Sequence, residues 1–131
     1  MVAAEKILVI EDNEITRYLT EHTLHEMNAG ARLYFARNGL EALHLLRKGL
    51  SPNLILLDLN MPRMDGFTFL DRYQMLAQNQ PARVVVFSTS AQPLHREAAT
   101  NFDCVIGYAE KPITAQKLRL LLSTTNKFGL P

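Results

Sequence analysis

The sequence has a single cysteine, almost no net charge and no long apolar run, and each shortage excludes a class of protein. Cys104 cannot form an internal disulfide, so a cytoplasmic location is the simplest interpretation. The 14 basic and 13 acidic residues leave a formal net charge of +1, which provides no electrostatic footprint for nucleic acid or an anionic membrane. The apolar runs are too short to cross a bilayer, and the first residues lack the regions of a signal peptide.

The chain does contain enough apolar material for one folded domain. Its 131 residues are 47% hydrophobic, which suits a globular domain with a sizeable core. Short apolar segments alternate with helix-length segments, and this pattern of five strands and five helices predicts a doubly wound parallel α/β domain. We therefore expect residues 1–131 to form one domain, with its core at about residues 6–126.

The segment from Asn53 to Gly66 is an apolar run that ends abruptly in a carboxylate. Residues 54–57 are branched aliphatics without period-two alternation, which is typical of a strand buried on both faces of a parallel sheet. Asp58 is therefore predicted to lie at the carboxyl end of a central strand. In open α/β sheets this edge is where ligands bind.

Two more carboxylates and a lysine are predicted to reach the same edge. Glu11 and Asp12 follow the strand of residues 6–10, and they converge on Asp58 if the two strands are parallel neighbours. Two like charges about 4 Å apart repel by roughly 4 kcal/mol at an effective dielectric near 20. The cluster therefore needs a proton, a basic side chain or a cation. Lys111 follows a later strand and supplies the basic side chain, and Mg²⁺ is the best candidate for the cation.

These residues, with a few others in the same order, resemble the receiver domain of two-component response regulators. The motifs are Glu11-Asp12, Asp58 within the segment Leu57 to Gly66, Ser88, Tyr108 and Lys111-Pro112. They cover almost the whole chain at domain-consistent spacing. The resemblance, which is to single-domain, chemotaxis-regulator-like receivers, implies a flavodoxin-like fold with strand order 2-1-3-4-5 and helices on both faces of the sheet.

The resemblance also implies the chemistry of the site. Asp58 would accept a phosphoryl group from a histidine kinase or a histidine phosphotransfer protein. Asp12, Asp58 and the main-chain carbonyl of Asn60 would hold Mg²⁺, and Glu11 would reach it directly or through water. The family more often has Asp at the Glu11 position. Lys111 would contact a phosphoryl oxygen and, before transfer, Asp58 itself, and its bond to Pro112 is implied to be cis.

Ser88 and Tyr108 would form the switch that reports phosphorylation. The Ser88 hydroxyl would donate to a phosphoryl oxygen, and the Tyr108 ring would turn into the space that this movement vacates. The family usually has Thr at the Ser88 position, and serine lacks its methyl group. The surface that changes would include residues 93–100, the fifth strand and the last helix.

The expected protein is a signalling module rather than an enzyme, since it would catalyse only its own phosphoryl transfer and dephosphorylation. Only a short tail follows the predicted domain, so we expect it to bind a downstream protein target. We expect no direct binding to nucleic acid or to a membrane.

Three alternatives compete with this interpretation. A pseudo-receiver would bind partners without phosphorylation, and the complete acidic site argues against it. A phosphatase of the haloacid dehalogenase type needs a second acid two residues after the nucleophile, where this chain has Asn60. A flavodoxin-like nucleotide binder needs a glycine-rich phosphate loop, and none follows the first strand.

Helix boundaries and faces are also predicted from the pattern. The first helix should end near Met27, with Gly30 stopping it from a C′ position, and Ile15, Leu19, Leu24 and Met27 should form its inward stripe. Asn38, Asp65 and Thr114 are expected to be N-caps, and a short helix is expected between residues 93 and 101. As a cap, Asp65 lies too far along its loop to join the acidic cluster.

Overall fold

The computed structural model describes residues 5–28, 30–59, 65–76, 82–89, 97–99 and 101–123. Strands and helices alternate along them, as the apolar pattern predicts. The elements are β1 (Lys6–Ile10), α1 (Glu14–Met27), β2 (Arg32–Ala36), α2 (Gly39–Arg47), β3 (Leu54–Asp58), α3 (Gly66–Leu76), β4 (Arg83–Ser88), β5 (Val105–Glu110) and α4 (Ala115–Ser123). A helical turn at 97–99 lies where a short helix was expected, and most of that expected helix lies outside the described residues.

The five strands form one parallel sheet in the order β2-β1-β3-β4-β5, which confirms the topology implied by the resemblance. All five residues of β3 are buried, as expected for a central strand. The edge strand β2 begins at the exposed Arg32 and is only partly buried. Within the described ranges, no helix is both long enough and apolar enough to cross a membrane.

The sheet separates two apolar clusters, and alternate residues of β3 contribute to each. Ile55 and Leu57 belong to the cluster that contains Leu43 of α2 and Phe69 of α3. Leu54 and Leu56 belong to the opposite cluster, into which α1 and α4 also pack side chains. Helices therefore cover both faces, which explains why β3 shows no polar alternation.

The three predicted N-caps are confirmed by hydrogen bonds from the first helical turns. Asn38 Oδ1 accepts from Glu41 N at 2.8 Å, and Asp65 Oδ1 accepts from Thr68 N at 2.9 Å. Thr114 Oγ1 accepts from Lys117 N at 3.1 Å. Each cap satisfies a backbone donor that has no partner within its helix.

The prediction for the inward face of α1 was partly wrong. Leu24 is buried as expected, but Ile15 is 72% exposed and Leu19 is 57% exposed. The buried position is instead taken by Thr20, whose hydroxyl donates to the carbonyl of Thr16 at 2.8 Å. Because this local bond satisfies the hydroxyl, a polar residue can face the core and the apolar ones can face outward.

The predicted role of Gly30 was also wrong. Helix α1 ends at Met27, and its C-cap is Asn28 in an extended conformation, with its N–H donating to the carbonyl of Leu24. Gly49, after α2, is the glycine that adopts a positive φ, of 111°, among the described residues. This conformation is accessible to glycine at little cost and lets the chain leave the helix.

Candidate functional site

Three carboxylates meet at the carboxyl edge of the sheet. Ile10 of β1 is aligned with Leu57 of β3, so the residues that come directly after this pair, Glu11 and Asp58, lie together with Asp12. One carboxylate oxygen from each of the three lies within 4.8 Å of the others. Glu11 and Asp58 are each only 4% exposed, whereas Asp12 is open to solvent. The convergence that the sequence predicted therefore occurs.

Lys111 brings an ammonium group into this cluster. Its Nζ lies 2.7 Å from Glu11 Oε1 and 3.2 Å from Asp58 Oδ2. Its main-chain N–H donates to the carbonyl of Ser88 at 2.7 Å, which ties the loop after β5 to the end of β4. The Lys111-Pro112 peptide bond is cis, as the resemblance implied.

Both carboxylate oxygens of Glu11 have protein partners. Oε1 accepts from Lys111 Nζ, and Oε2 accepts from the main-chain N–H of Asn13 at 3.2 Å. The Glu11 main-chain N–H donates to the carbonyl of Ala36 at 2.9 Å, which extends the pairing of β1 with β2. Glu11 is therefore held in place by three separate groups.

The site has more acidic than basic groups, and the pKa values respond to this imbalance. Burial raises the pKa of Glu11, the charge of Asp58 raises it further, and the hydrogen bond from Lys111 offsets only part of the increase. Burial acts to lower the pKa of Lys111, but its contacts with Glu11 and Asp58 outweigh that effect and raise it. A single ammonium does not balance the cluster, so the site favours further positive charge.

The donor set fits a hard divalent cation. All three groups offer carboxylate oxygens, which are the ligands that Mg²⁺ prefers, and the buried excess of negative charge gives a cation a reason to bind. In the part of the chain that the structure describes, this is the one group of three or more His, Cys, Asp or Glu side chains close enough to share an ion. Asn60, the fourth expected ligand, lies outside the described residues.

Ser88 lies on β4, which pairs with β3, and Tyr108 lies on β5, which pairs with β4. Ser88 ends β4 and is 1% exposed, and Tyr108 is aligned with Val86 across β4 and β5 and is 6% exposed. Both side chains are buried. Of the surface expected to change with them, residues 97–99, β5 and α4 are described, and the rest of 93–100 lies outside the described residues.

A cleft next to the site was not predicted from the sequence. It has a volume of about 320 Å³ and is lined by Leu19 and Thr20 of α1 and by Lys111, Pro112 and Ile113 of the loop after β5. The exposed Ile15 and Tyr18 belong to the same helix. Ile15 and Leu19 are four residues apart, which places them on one face of the helix. Only the fold shows that this helix borders the cleft.

The fold and the acidic edge together define a receiver domain. Residues 7–123 match the family of the response regulator receiver domain. The chain belongs to this family, whose members are signalling modules of two-component systems. This membership does not favour the pseudo-receiver alternative.

Individual relatives agree with the family. The protein-glutamate methylesterase/protein-glutamine glutaminase 3 of Rhodospirillum rubrum is 38% identical over 84 residues, which are 64% of this chain and 21% of the relative. The chemotaxis protein CheY4 of Vibrio cholerae superimposes with a TM-score of 0.79 at 28% identity, covering 92% of this chain and 97% of CheY4.

A third similar structure is the phosphorylated cyanobacterial phytochrome response regulator RcpA. It superimposes with a TM-score of 0.77 at 28% identity, over 91% of this chain and 89% of that protein. The chain spans only 21% to 32% of the length of three methylesterase relatives. The similarity to those proteins therefore concerns their receiver domains and not their catalytic activity.

Proposed function

We propose that Asp58 is the phosphoacceptor of this receiver domain and that its donor is a phosphohistidine on a histidine kinase or a histidine phosphotransfer protein. The observation that carries the proposal is the arrangement of Asp58 between a lysine ammonium at 3.2 Å and two further carboxylates. Asp58 is buried at the end of the central strand, where its Oδ2 contacts the Lys111 ammonium and the negative charge of the cluster is only partly neutralised.

The reaction is a transfer of a phosphoryl group between two nucleophiles. A carboxylate oxygen of Asp58 attacks the phosphorus, a new oxygen to phosphorus bond forms, and the phosphorus to nitrogen bond of the donor histidine breaks. The imidazole leaves with the electron pair of that bond and takes up a proton. Such transfers need mainly positioning and charge neutralisation, and Lys111 can provide both because its ammonium already contacts Asp58. The same site would later hydrolyse the acyl phosphate, so the protein acts only on itself.

We infer that Asp12 and Asp58 would hold Mg²⁺ and that Asn60 would add its main-chain carbonyl. When bound, the ion would neutralise charge on the carboxylate and phosphoryl oxygens. Glu11 already accepts hydrogen bonds at both oxygens, so a contact through water suits it better than direct ligation. This assignment gives Glu11 a second task, because it is the closer of the two partners of Lys111.

Ser88 and Tyr108 are proposed to report the modification to a downstream protein. The Ser88 hydroxyl would donate to a phosphoryl oxygen on Asp58, which lies on the adjacent strand. Tyr108 is buried on β5 and is aligned with Val86, two residues before Ser88, and its ring would adjust when the end of β4 moves. The downstream partner would then recognise the altered surface of β5 and α4.

The exposed apolar face of α1 supports a protein donor over a small one. Ile15, Tyr18 and Leu19 are between 57% and 72% exposed, and Leu19 borders the cleft that contains Lys111. An apolar patch next to a reactive carboxylate is suited to docking another protein. A donor bound there would present its phosphohistidine to the open side of the site.

The test is the mass of the intact protein after treatment with acetyl phosphate, with and without Mg²⁺. The wild type is expected to gain one phosphate only with Mg²⁺, and hydroxylamine should remove it as it removes acyl phosphates. Asp58→Ala should gain none. Asp103→Ala, which changes an exposed aspartate away from the cluster, serves as the control and should behave as wild type.

Two results would count against the proposal. A phosphate that persists in Asp58→Ala would place the chemistry on another residue. A wild type that stays unmodified with acetyl phosphate and with a phosphorylated phosphotransfer protein would instead support a receiver that binds partners without phosphorylation.

A further inference from the structure

We propose that Lys117 is a positioning residue that holds the loop carrying Lys111. Its Nζ donates to the carbonyl of Glu110 at 2.9 Å and to the carbonyl of Pro112 at 3.1 Å. These two residues lie directly before and after Lys111, so the Lys117 ammonium links the main chain on both sides of Lys111. The inference rests on the proposed phosphoryl transfer at Asp58, because it gives Lys117 a role in placing the lysine that acts there.

The stability of helix α4 does not explain a lysine at this position. Thr114 is the N-cap, and Lys117 occupies the third helical position, where a capping box would have Glu or Gln. A cation in the first turn also faces the positive end of the helix dipole. Lys117 is therefore unfavourable for its own helix, and its bonds to the two carbonyls supply a compensating interaction.

The loop is fixed from two sides once Lys117 is included. From the sheet, the main-chain N–H of Lys111 donates to the carbonyl of Ser88 at 2.7 Å. From the helix, Lys117 binds the carbonyls before and after it. The four-carbon side chain of Lys111 is flexible, so a fixed main chain limits the positions that its ammonium can reach. This restriction keeps Nζ within 3.2 Å of both Glu11 and Asp58.

Charge-changing variants separate this role from a purely structural one. Lys117→Glu creates a capping box and suits the helix dipole, and these gains should offset the stability that is lost with the bonds to the loop, so the variant should remain folded. Lys117→Met removes the bonds without adding the box. Lys117→Arg keeps donors for both carbonyls. Arg119→Met removes one positive charge from an exposed position on the same helix and is the matched control.

The first measurement is the rate of Asp58 phosphorylation by acetyl phosphate at saturating Mg²⁺. We expect Lys117→Glu and Lys117→Met to slow it about fivefold to tenfold, the scale of a small misplacement of a reacting group. Lys117→Arg and Arg119→Met should stay near wild type. The Mg²⁺ concentration for half-maximal rate should not rise in any variant, because Lys117 does not touch the carboxylates.

The second measurement is the NMR signal of the Lys111 side-chain ammonium, assigned by its loss in Lys111→Arg. It should exchange slowly with water in the wild type and in Lys117→Arg, and faster in Lys117→Glu. If the wild type gains no phosphate, the proposed function fails. The exchange rate of the Lys111 ammonium still tests the positioning role in that case. Equal exchange in all variants, equal rates in all variants, or an equal loss in Arg119→Met and Lys117→Met would each overturn the inference.

Discussion

At the scale of single residues, the acidic edge is a site whose charges are only partly balanced. Glu11 and Asp58 are buried, and both depend on the ammonium of Lys111. Removing one partner of a buried ion pair leaves an uncompensated charge, which costs more than the pair itself contributes. Lys111 is therefore expected to stabilise the fold in addition to its role in the proposed chemistry.

Lys111→Met should destabilise the protein without Mg²⁺ by about 3 kcal/mol, because two buried carboxylates lose their shared partner. The ion can replace the lost positive charge, so saturating Mg²⁺ should stabilise the variant more than it stabilises the wild type. Urea unfolding with Mg²⁺ and with a chelator measures both effects. Lys48→Met, at an exposed position after α2, should change stability by less than about 0.5 kcal/mol. An equal response of both variants to Mg²⁺ would contradict this prediction.

The raised pKa of Glu11 predicts how stability depends on pH. The folded protein holds this proton more tightly than the unfolded chain, so the contribution of Glu11 is present below its usual pKa of 4.5 and is lost as pH rises through the folded value. The free energy of unfolding of wild type minus that of Glu11→Gln should therefore fall as pH rises from 4.5, in the absence of Mg²⁺. Urea titrations at a series of pH values measure the difference. A difference that stays constant, or one that grows, would show that burial does not dominate at this residue.

At the scale of elements, the approach of α3 to β3 depends on a glycine at the start of the helix. A Cβ atom on Gly66 would lie 2.6 Å from Cδ2 and 3.0 Å from Cα of Leu59. The contact with Cα is a contact with the main chain, so rotation of a side chain cannot relieve it. Leu59 directly follows Asp58, and any shift here would disturb the edge of the acidic site.

Gly66→Ala is expected to destabilise the protein by about 1–2 kcal/mol. Overpacking typically costs about 1–3 kcal/mol, and part of this is offset by the better helix propensity of alanine. Gly30→Ala is the control, because the nearest atom that its new Cβ would meet among the described residues is Asn28 Oδ1, at an ordinary contact distance of 3.6 Å. Thermal and urea unfolding should show little change for Gly30→Ala. A Gly66→Ala variant as stable as wild type would mean that α3 can move away from β3 without loss.

At the scale of the whole molecule, β3 joins the two apolar clusters. Leu56 and Leu57 are both buried, but Leu56 packs on the side of α1 and α4 while Leu57 packs on the side of α2 and α3. The strand is shared, so loosening either face should affect the other through the hydrogen-bonded sheet. We therefore expect the domain to unfold as one cooperative unit.

Leu56→Ala and Leu57→Ala should each cost about 2–5 kcal/mol, the usual range for a buried leucine. In both variants, amide hydrogen exchange near Leu24 of α1 and near Phe69 of α3 should lose protection together. A loss confined to the helix on the mutated side would show that the two faces unfold separately. Urea unfolding followed by circular dichroism gives the size of the change independently.

The sequence by itself determined the order of the elements, the position of the central strand and the identity of the carboxylates at the acidic edge. These features follow from local apolar pattern and from the abrupt change at Asp58, Glu11 and Asp12, which parallel pairing brings to one edge. The caps at Asn38, Asp65 and Thr114 are also local, because each bonds to a residue three positions away.

Only the tertiary structure decided which face of α1 is buried, that Glu11 is closer to Lys111 than Asp58 is, and that Lys117 spans the site lysine. Glu11 and Lys111 are 100 residues apart and meet only after their strands join one sheet, and Lys117 reaches its two carbonyls only when α4 and the loop before it are folded. In α1 the spacing of apolar residues suggested the wrong face, because a local hydrogen bond lets Thr20 occupy the core. The spacing of apolar residues indicates which residues tend to be buried, whereas the tertiary fold determines which groups each side chain contacts.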